Sequence, residues 1–220
     1  MRSSLNDDEI ISAVYPALGY SACAIGDQEL NNGIPFFKNN LNGKLNFISS
    51  NLQFSDKEIK IDRYRIIQLT NGIKVGVTAV NYNTDFKYLM RSNVIKESDI
   101  TVDKAFDNLK KSLSEMKGKA DLIVILANLN NEGIVKLLDN VDGYDLVIGG
   151  NNGEEFKYAR RIENKIHVQN GRDGEKIGKV EYSFFADKKP KFEDYELIKI
   201  LAKKHKRNEA VEKIIKGLDK

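Results

Sequence analysis

The strongest constraint on this chain is an alternation of two patterns. Leu122-Ile123-Val124-Ile125-Leu126 and Leu146-Val147-Ile148 are short, unbroken apolar runs, each entered through an aspartate. Glu132 to Leu138, between them, reads as a helix, and before them Val102, Ala105, Phe106, Leu109, Leu113 and Met116 recur at helical spacing. A strand that is apolar on every residue has no face to offer water, so its sheet must be covered on both sides. Such strands, alternating with amphipathic helices, predict an α/β fold.

The rest of the chain extends this frame. Ser4 or Asn6 can cap a first helix whose Asp7, Asp8 and Glu9 suit the positive end of the helix dipole. Ile10, Ile11, Val14 and Leu18 give it an apolar stripe, and Pro16 kinks or ends it. Ala22 to Ile25 reads as a buried strand closed by Gly26, Ile34 to Leu41 as a helix, and Asn46 to Leu52 as a strand. Tyr64 to Leu69, Asn71-Gly72, and Ile73 to Val80 predict a hairpin, because Asn-Gly accepts the positive φ angles of a type I′ turn. Residues 81 to 100 read as an irregular polar surface loop.

After Gly149-Gly150 the pattern turns antiparallel, with Lys157 to Ile162, Lys165 to Gln169, a bend spaced by Gly171, Gly174 and Gly178, and Lys179 to Phe185. From Tyr195 onward the chain is basic, and Leu197, Ile200, Leu201, Val211, Ile214, Ile215 and Leu218 recur with helical period. The expected organisation is one domain over 1–185 and a basic helical tail over 186–220, joined near 186–194.

Composition narrows the chemistry. Across 220 residues, 35 basic against 32 acidic side chains leave +3, which calls for no nucleic-acid partner. No run approaches the ~18 to 20 apolar residues of a transmembrane segment. A single cysteine, Cys23, excludes an internal disulfide and a cysteine-based zinc cluster. His167 and His205, the only histidines, are too few for an imidazole-rich metal centre. Met1 to Glu9 carry no apolar core of a signal peptide, so no export signal is expected, and the compartment stays open.

Three loops follow apolar strands, where open α/β sheets place their ligands: Gly26-Asp27-Gln28-Glu29, Ala127-Asn128-Leu129-Asn130 and Gly149-Gly150-Asn151-Asn152-Gly153. The segment Leu18-Gly19-Tyr20-Ser21-Ala22 through Gly26-Asp27-Gln28-Glu29-Leu30 resembles the LGYDA…GNHEFDYG segment of the 5′-nucleotidase branch of the calcineurin-like metallophosphoesterases. Ile123 to Asn130 resembles that family's IVLSHLG, Asp145 to Gly153 its DVIIGGHSH, and Val168-Gln169-Asn170-Gly171 through Gly178 the strand pair that follows. The resemblance runs in order from about Met1 to Phe185. It implies a four-layer α/β/β/α sandwich. The family's Asp-x-His and Gly-Asp motifs would precede Met1, so the expected fold lacks its first strand and leaves an inner sheet edge open. Family members are often periplasmic or extracellular.

The resemblance also implies a pair of divalent metals that activate a water for in-line attack on phosphorus. Here the frame is kept and the ligands differ. Asp27 stands where the family has a metal-binding Asn, and Gln28 where it has the His that stabilises the leaving group. Asn128, Asn151 and Gly153 each replace a metal-ligating or site-lining His. The expectation is a pseudoenzyme with a degenerate metal site and no cofactor, acting as a binding or scaffold module for a protein partner at the sheet edge or the tail. The alternative is an active metal-dependent phosphoesterase in which Asp27, Asn128 and Asn151 offer oxygen ligands to Mn, Mg, Ca or Zn alongside ligands upstream.

Other signals have plainer readings. Gly149 to Gly153 lacks the Lys-Ser/Thr of a P-loop and reads as a strand-to-loop turn. No helix follows Gly171, Gly174 and Gly178, so they fit a hairpin bend. His167, between Ile166 and Val168, reads as a packed or surface histidine, and Cys23 as core. Lys203-Lys204-His205-Lys206-Arg207 reads as a solvated helical stripe, with binding to an anionic surface as its alternative.

Overall fold

The computed structural model describes residues 5–151, 153–172, 174–186, 189–201, 203 and 206–218, with backbone alone for 5–8. Ser4, Asn152, Lys204 and His205, given roles above, lie outside the described residues, as do the side chains of Asn6, Asp7 and Asp8.

The chain opens with α1 (Leu5–Ala17), which carries Pro16 in its last turn, and β1 (Cys23–Ala24). A single 3₁₀ turn, Gln28–Leu30, leads to α2 (Gly33–Phe36), which widens into a π turn over Phe37–Leu41. Then come β2 (Phe47–Ile48), β3 (Leu52–Phe54), β4 (Tyr64–Gln68), β5 (Lys74–Asn81), α3 (Asn83–Arg91) and β6 (Ile100–Val102). The second half runs α4 (Ala105–Met116), β7 (Leu122–Asn128), α5 (Asn131–Asn140), β8 (Leu146–Gly149), β9 (Arg160–Ile162), β10 (Lys165–Val168), β11 (Lys176–Ser183), β12 (Lys191–Lys199) and α6 (Glu209–Leu218).

Six strands form the main sheet in the order β4-β5-β7-β8-β10-β9. The inner four are parallel, because α4 and the α5 crossover return the chain to the same end, and the outer pairs β4/β5 and β9/β10 are antiparallel. The expected hairpin joins β4 and β5, but its turn is not type I′: only Gly72, at φ +87°, is in the positive-φ region, and the loop closes with the Leu69 N–H on the Ile73 carbonyl at 2.8 Å and the Gly72 N–H on the Leu69 carbonyl at 2.9 Å. Along β7 the side chains alternate. Ile123, Ile125 and Ala127 pack with Leu109, Leu113 and Met116 of α4 and Ile134 and Leu137 of α5. Leu122, Val124 and Leu126 face the other way, onto Ala24 and Ile48 of the β1–β2 pair and Tyr182, Phe192 and Tyr195 of the β11–β12 ribbon. A further core, with Phe37, Phe47, Phe54, Phe86 and Leu89, fills the space between β2, the β3–β6 pair and the helices outside them. Helix, sheet, sheet, helix is the expected four-layer order. Each fully buried Leu, Ile or Phe contributes roughly 1.5–3 kcal/mol to holding it.

Three segments depart from the sequence expectation. Asn46 to Leu52, read as one strand, is broken after Ile48 into β2, which pairs with β1, and β3, which pairs with β6. Residues 81–100, read as a loop, contain α3, whose Phe86 and Leu89 are fully buried one turn apart. Exposed polar and charged residues elsewhere on the helix mask that pair, and the Asp85 carboxylate caps its start by accepting from the Tyr82 N–H at 3.0 Å. The tail is not helical from Tyr195: Lys191–Lys199 is a strand paired antiparallel with β11, with a bulge between Glu181 and Tyr182. Tyr195 and Leu197 satisfy strand alternation as well as helical period. Tyr195 is drawn inward, where its hydroxyl donates to the Gln169 carbonyl at 2.9 Å. Among the described residues of the tail only Glu209–Leu218 is helical, and α6 lies against α1. Lys206 and Arg207 precede that helix. No helix among the described residues is long and apolar enough to cross a membrane.

Candidate functional site

The parallel strands end side by side, with Asn81 of β5 opposite Asn128 of β7, and Ala127 opposite Gly149 of β8. The loops leaving these ends form the site, as the topology of an open α/β sheet requires. Asn81 is fully buried and anchors two of them. Its Nδ2 donates to the Ile25 carbonyl, its Oδ1 accepts from Ser49 Oγ at 2.9 Å, and its backbone exchanges hydrogen bonds with the Asn51 amide at 2.9 and 3.0 Å. The chain after β1 is thereby fixed above β7. There the Gly26 N–H donates to Glu29 Oε2 at 2.7 Å and closes the loop that carries Asp27 and Gln28. Gly26 has room for little else, since a β-carbon on it would stand 3.3 Å from Asn128 Nδ2.

An open cavity of about 510 Å³ lies between these loops, lined by Asp27, Gln28, Asn128, Gly149, Gly150 and Asn151 among others. Four of the five site positions expected from the sequence therefore meet in one pocket. Gly153 does not line it. With φ at +65°, Gly153 turns the chain away, and the Arg172 side chain occupies the space its β-carbon would need. The Nδ2 of Asn128 is buried and has no hydrogen-bond partner among the described residues. A donor left in that state costs roughly 1–3 kcal/mol.

One residue of the site was missed from the sequence. Asp85, in the first turn of α3, accepts a hydrogen bond from the Asn151 side chain and lies near Asp27. Burial, reinforced by the Asp27 charge, pushes its carboxyl up to about 6, against the pull of the Tyr82 N–H and the Asn151 amide. Burial also raises the Glu29 carboxyl, with Asp27 adding to the effect and the backbone N–H groups of Gly26 and Glu29 opposing it. Little in the sequence announces Asp85, because Tyr82 stands where a capping box would carry Ser or Thr.

The side chains that Asp27, Gln28, Asn128 and Asn151 bring to the pocket are carboxylate and amide groups. Among the described residues no group of three or more His, Cys, Asp or Glu side chains is arranged to hold a metal ion. The Asn151 amide is engaged by Asp85. His167 is only 2% exposed within β10, packed edge-on against Phe156 at 4.8 Å between ring centroids. Neither ring nitrogen has a hydrogen-bond partner among the described residues, and burial, aided by the Arg160 charge, lowers its pKa to about 4. It is a packed histidine, in line with its place between two apolar strand residues. Cys23 is half-buried at the edge of the core rather than within it, and burial raises its thiol to about 11.

The layered fold with loops converging at the strand ends is that of the calcineurin-like phosphoesterases and 5′-nucleotidases. The calcineurin-like phosphoesterase YfkN from Bacillus subtilis is similar over 98% of this chain and 76% of its own, with a TM-score of 0.71 and 22% identity. A 5′-nucleotidase precursor from Thermus thermophilus is similar over 99% of this chain at a TM-score of 0.77 and 16% identity. The sulfate thiohydrolase SoxB from the same organism, solved with glycerol, is similar over 97% at 0.80 and 16%. This chain spans less than half of the two Thermus proteins, 47% and 39%. At these identities the likeness concerns the fold, which is the one the sequence motifs imply. No family profile matches the sequence, and no curated protein matches it.

Proposed function

We propose that the chain is a non-catalytic binding module built on the phosphoesterase fold, and that its pocket holds a small polar ligand by hydrogen bonds alone. The observation that carries this reading is the lining itself: at the strand ends, carboxylate and amide side chains of Asp27, Gln28, Asn128 and Asn151 converge. Hydrolysis of a phosphate ester at neutral pH needs an activated water, and in this fold that activation comes from closely spaced metals. A neutral amide is a poor substitute for imidazole in holding such ions. Amides and carboxylates are well suited to hydroxyl and amide groups on a ligand. A protein partner at the sheet edge or along the basic tail is part of the same proposal.

A second reading, a metal-dependent phosphoesterase, draws on Asp85, which brings a second carboxylate beside Asp27. Incubation with Mn²⁺ and assay of a generic phosphodiester and a nucleoside monophosphate separates the two. The binding-module reading expects no turnover above that of Asp27→Ala. Turnover that disappears in Asp27→Ala would establish the second.

A further inference from the structure

Gln28 and Glu29 also line a second, smaller cavity of about 260 Å³, set between α1, β1, β2 and the α2–π segment. Its wall is apolar and aromatic, made by Tyr15, Phe36, Leu41, Leu45 and Phe47. Its polar lining comes from Cys23, Gln28, Glu29 and Asn32, and among the described residues no lysine, arginine or histidine lines it. An apolar cavity of ~150 Å³ is large enough for benzene, so this one has room for a fused bicyclic ring.

We propose that this cavity binds a small planar aromatic base, of one or two fused rings, whose N–H or ammonium group reaches the Glu29 carboxylate. Three observations select that chemistry. The aromatic wall favours a flat ring that can pack edge or face against Tyr15, Phe36 and Phe47. Glu29 is held with Oε2 on the Gly26 N–H, so its orientation is set before any ligand arrives. Burial chiefly raises the Tyr15 hydroxyl and the Cys23 thiol, with Tyr20 and then Glu29 adding at Tyr15 and Glu29 adding at Cys23, so the Glu29 carboxyl lies close enough to both to favour a donor in this cavity. The cavity shares only a loop with the polar pocket, and the inference stands apart from the function proposed above.

The test uses the intact chain and two features of its sequence. It contains no tryptophan, so the fluorescence of an added indole reports its own binding, and Cys23 is its single thiol. Titration with tryptamine should saturate, with an affinity about tenfold above that for indole-3-acetate, the same ring with the opposite charge. Bound tryptamine should slow alkylation of Cys23 several-fold. In Glu29→Gln the preference for the amine should vanish while indole itself still binds. If that variant does not fold, protection of Cys23 in the unaltered chain decides the matter. Absence of saturable binding, saturation that leaves Cys23 alkylation unchanged, or a charge preference that survives in a folded Glu29→Gln would each overturn the proposal.

Discussion

The side-chain amide of Asn81, at the end of β5, donates to the carbonyl of Ile25, the residue just before the Gly26–Glu29 loop. This one contact joins the main sheet to the β1–β2 pair at the point where the site begins. Asn81→Ala would take from the buried Ile25 carbonyl its Asn81 donor and from the Ser49 O–H its acceptor, while Ser49 Oγ keeps the Leu52 N–H at 3.1 Å. A loss of roughly 1–3 kcal/mol is expected, chiefly from the carbonyl. Urea denaturation should give a lower midpoint with an unchanged slope; a midpoint within error of the unaltered chain would mean the loop is held by something else.

Asp85 and His167 are predicted to tilt stability with pH in opposite directions. The Asp85 carboxyl rises from 3.8 to about 6 on folding, so the folded state holds a proton that the unfolded state has lost. Its contribution is present at low pH and disappears as pH rises from about 4 to 6, amounting to about 2–3 kcal/mol. His167 falls from 6.5 to about 4, so the unfolded state takes the proton first. Its contribution is intact above 6.5 and is lost as pH falls towards 4, with Arg160 and Glu154 the charged groups nearby, and amounts to about 3 kcal/mol. Between pH 4 and 6 the two slopes oppose each other. Asp85→Asn should therefore be more stable than the unaltered chain at pH 7 and lose stability more steeply below pH 6. In His167→Val, stability should instead rise as the solution is acidified from pH 6 to 4.

Gly149, at the rim of the pocket, is expected to tolerate no larger residue. A β-carbon there would stand 3.1 Å from His167 Nε2 and closer still to the Gln169 amide oxygen, the first buried in β10 and the second buried just beyond its end. Gly149→Ala should cost about 1–3 kcal/mol through overpacking. The thermal midpoint reads this directly. His167→Ala in the same chain should recover part of the loss, and no recovery would place the strain at Gln169.

Much of this fold is legible in the sequence because its central strands are apolar on every residue. Leu122–Leu126 and Leu146–Ile148 have no alternative to burial on both faces, and Asn71-Gly72 marks the hairpin though not its turn type. Two of the loops that bound the site follow from these strands and the third from the Ala22 to Ile25 run. What escaped was set by tertiary contacts that local pattern does not carry. The Phe86 and Leu89 pair marks a buried helix face only once the β3–β6 layer lies above it, so α3 and its Asp85 were hidden in a polar stretch. Tyr195 and Leu197 fit two periods equally, and pairing with β11 decides between them. The role of Asn81 rests on a carbonyl 56 residues earlier in the chain. Gly153 follows the family motif in sequence yet falls outside the pocket, because its positive φ turns the chain and Arg172 takes the space beside it.

The central claim, that the pocket at the strand ends has exchanged metal chemistry for hydrogen bonding, is tested most directly by counting metal. The chain should be dialysed against Mn²⁺, freed of unbound ion, and analysed for metal per chain beside Asp27→Ala. The account predicts no bound manganese in either protein beyond the buffer level. Two ions per chain, lost in Asp27→Ala, would contradict it.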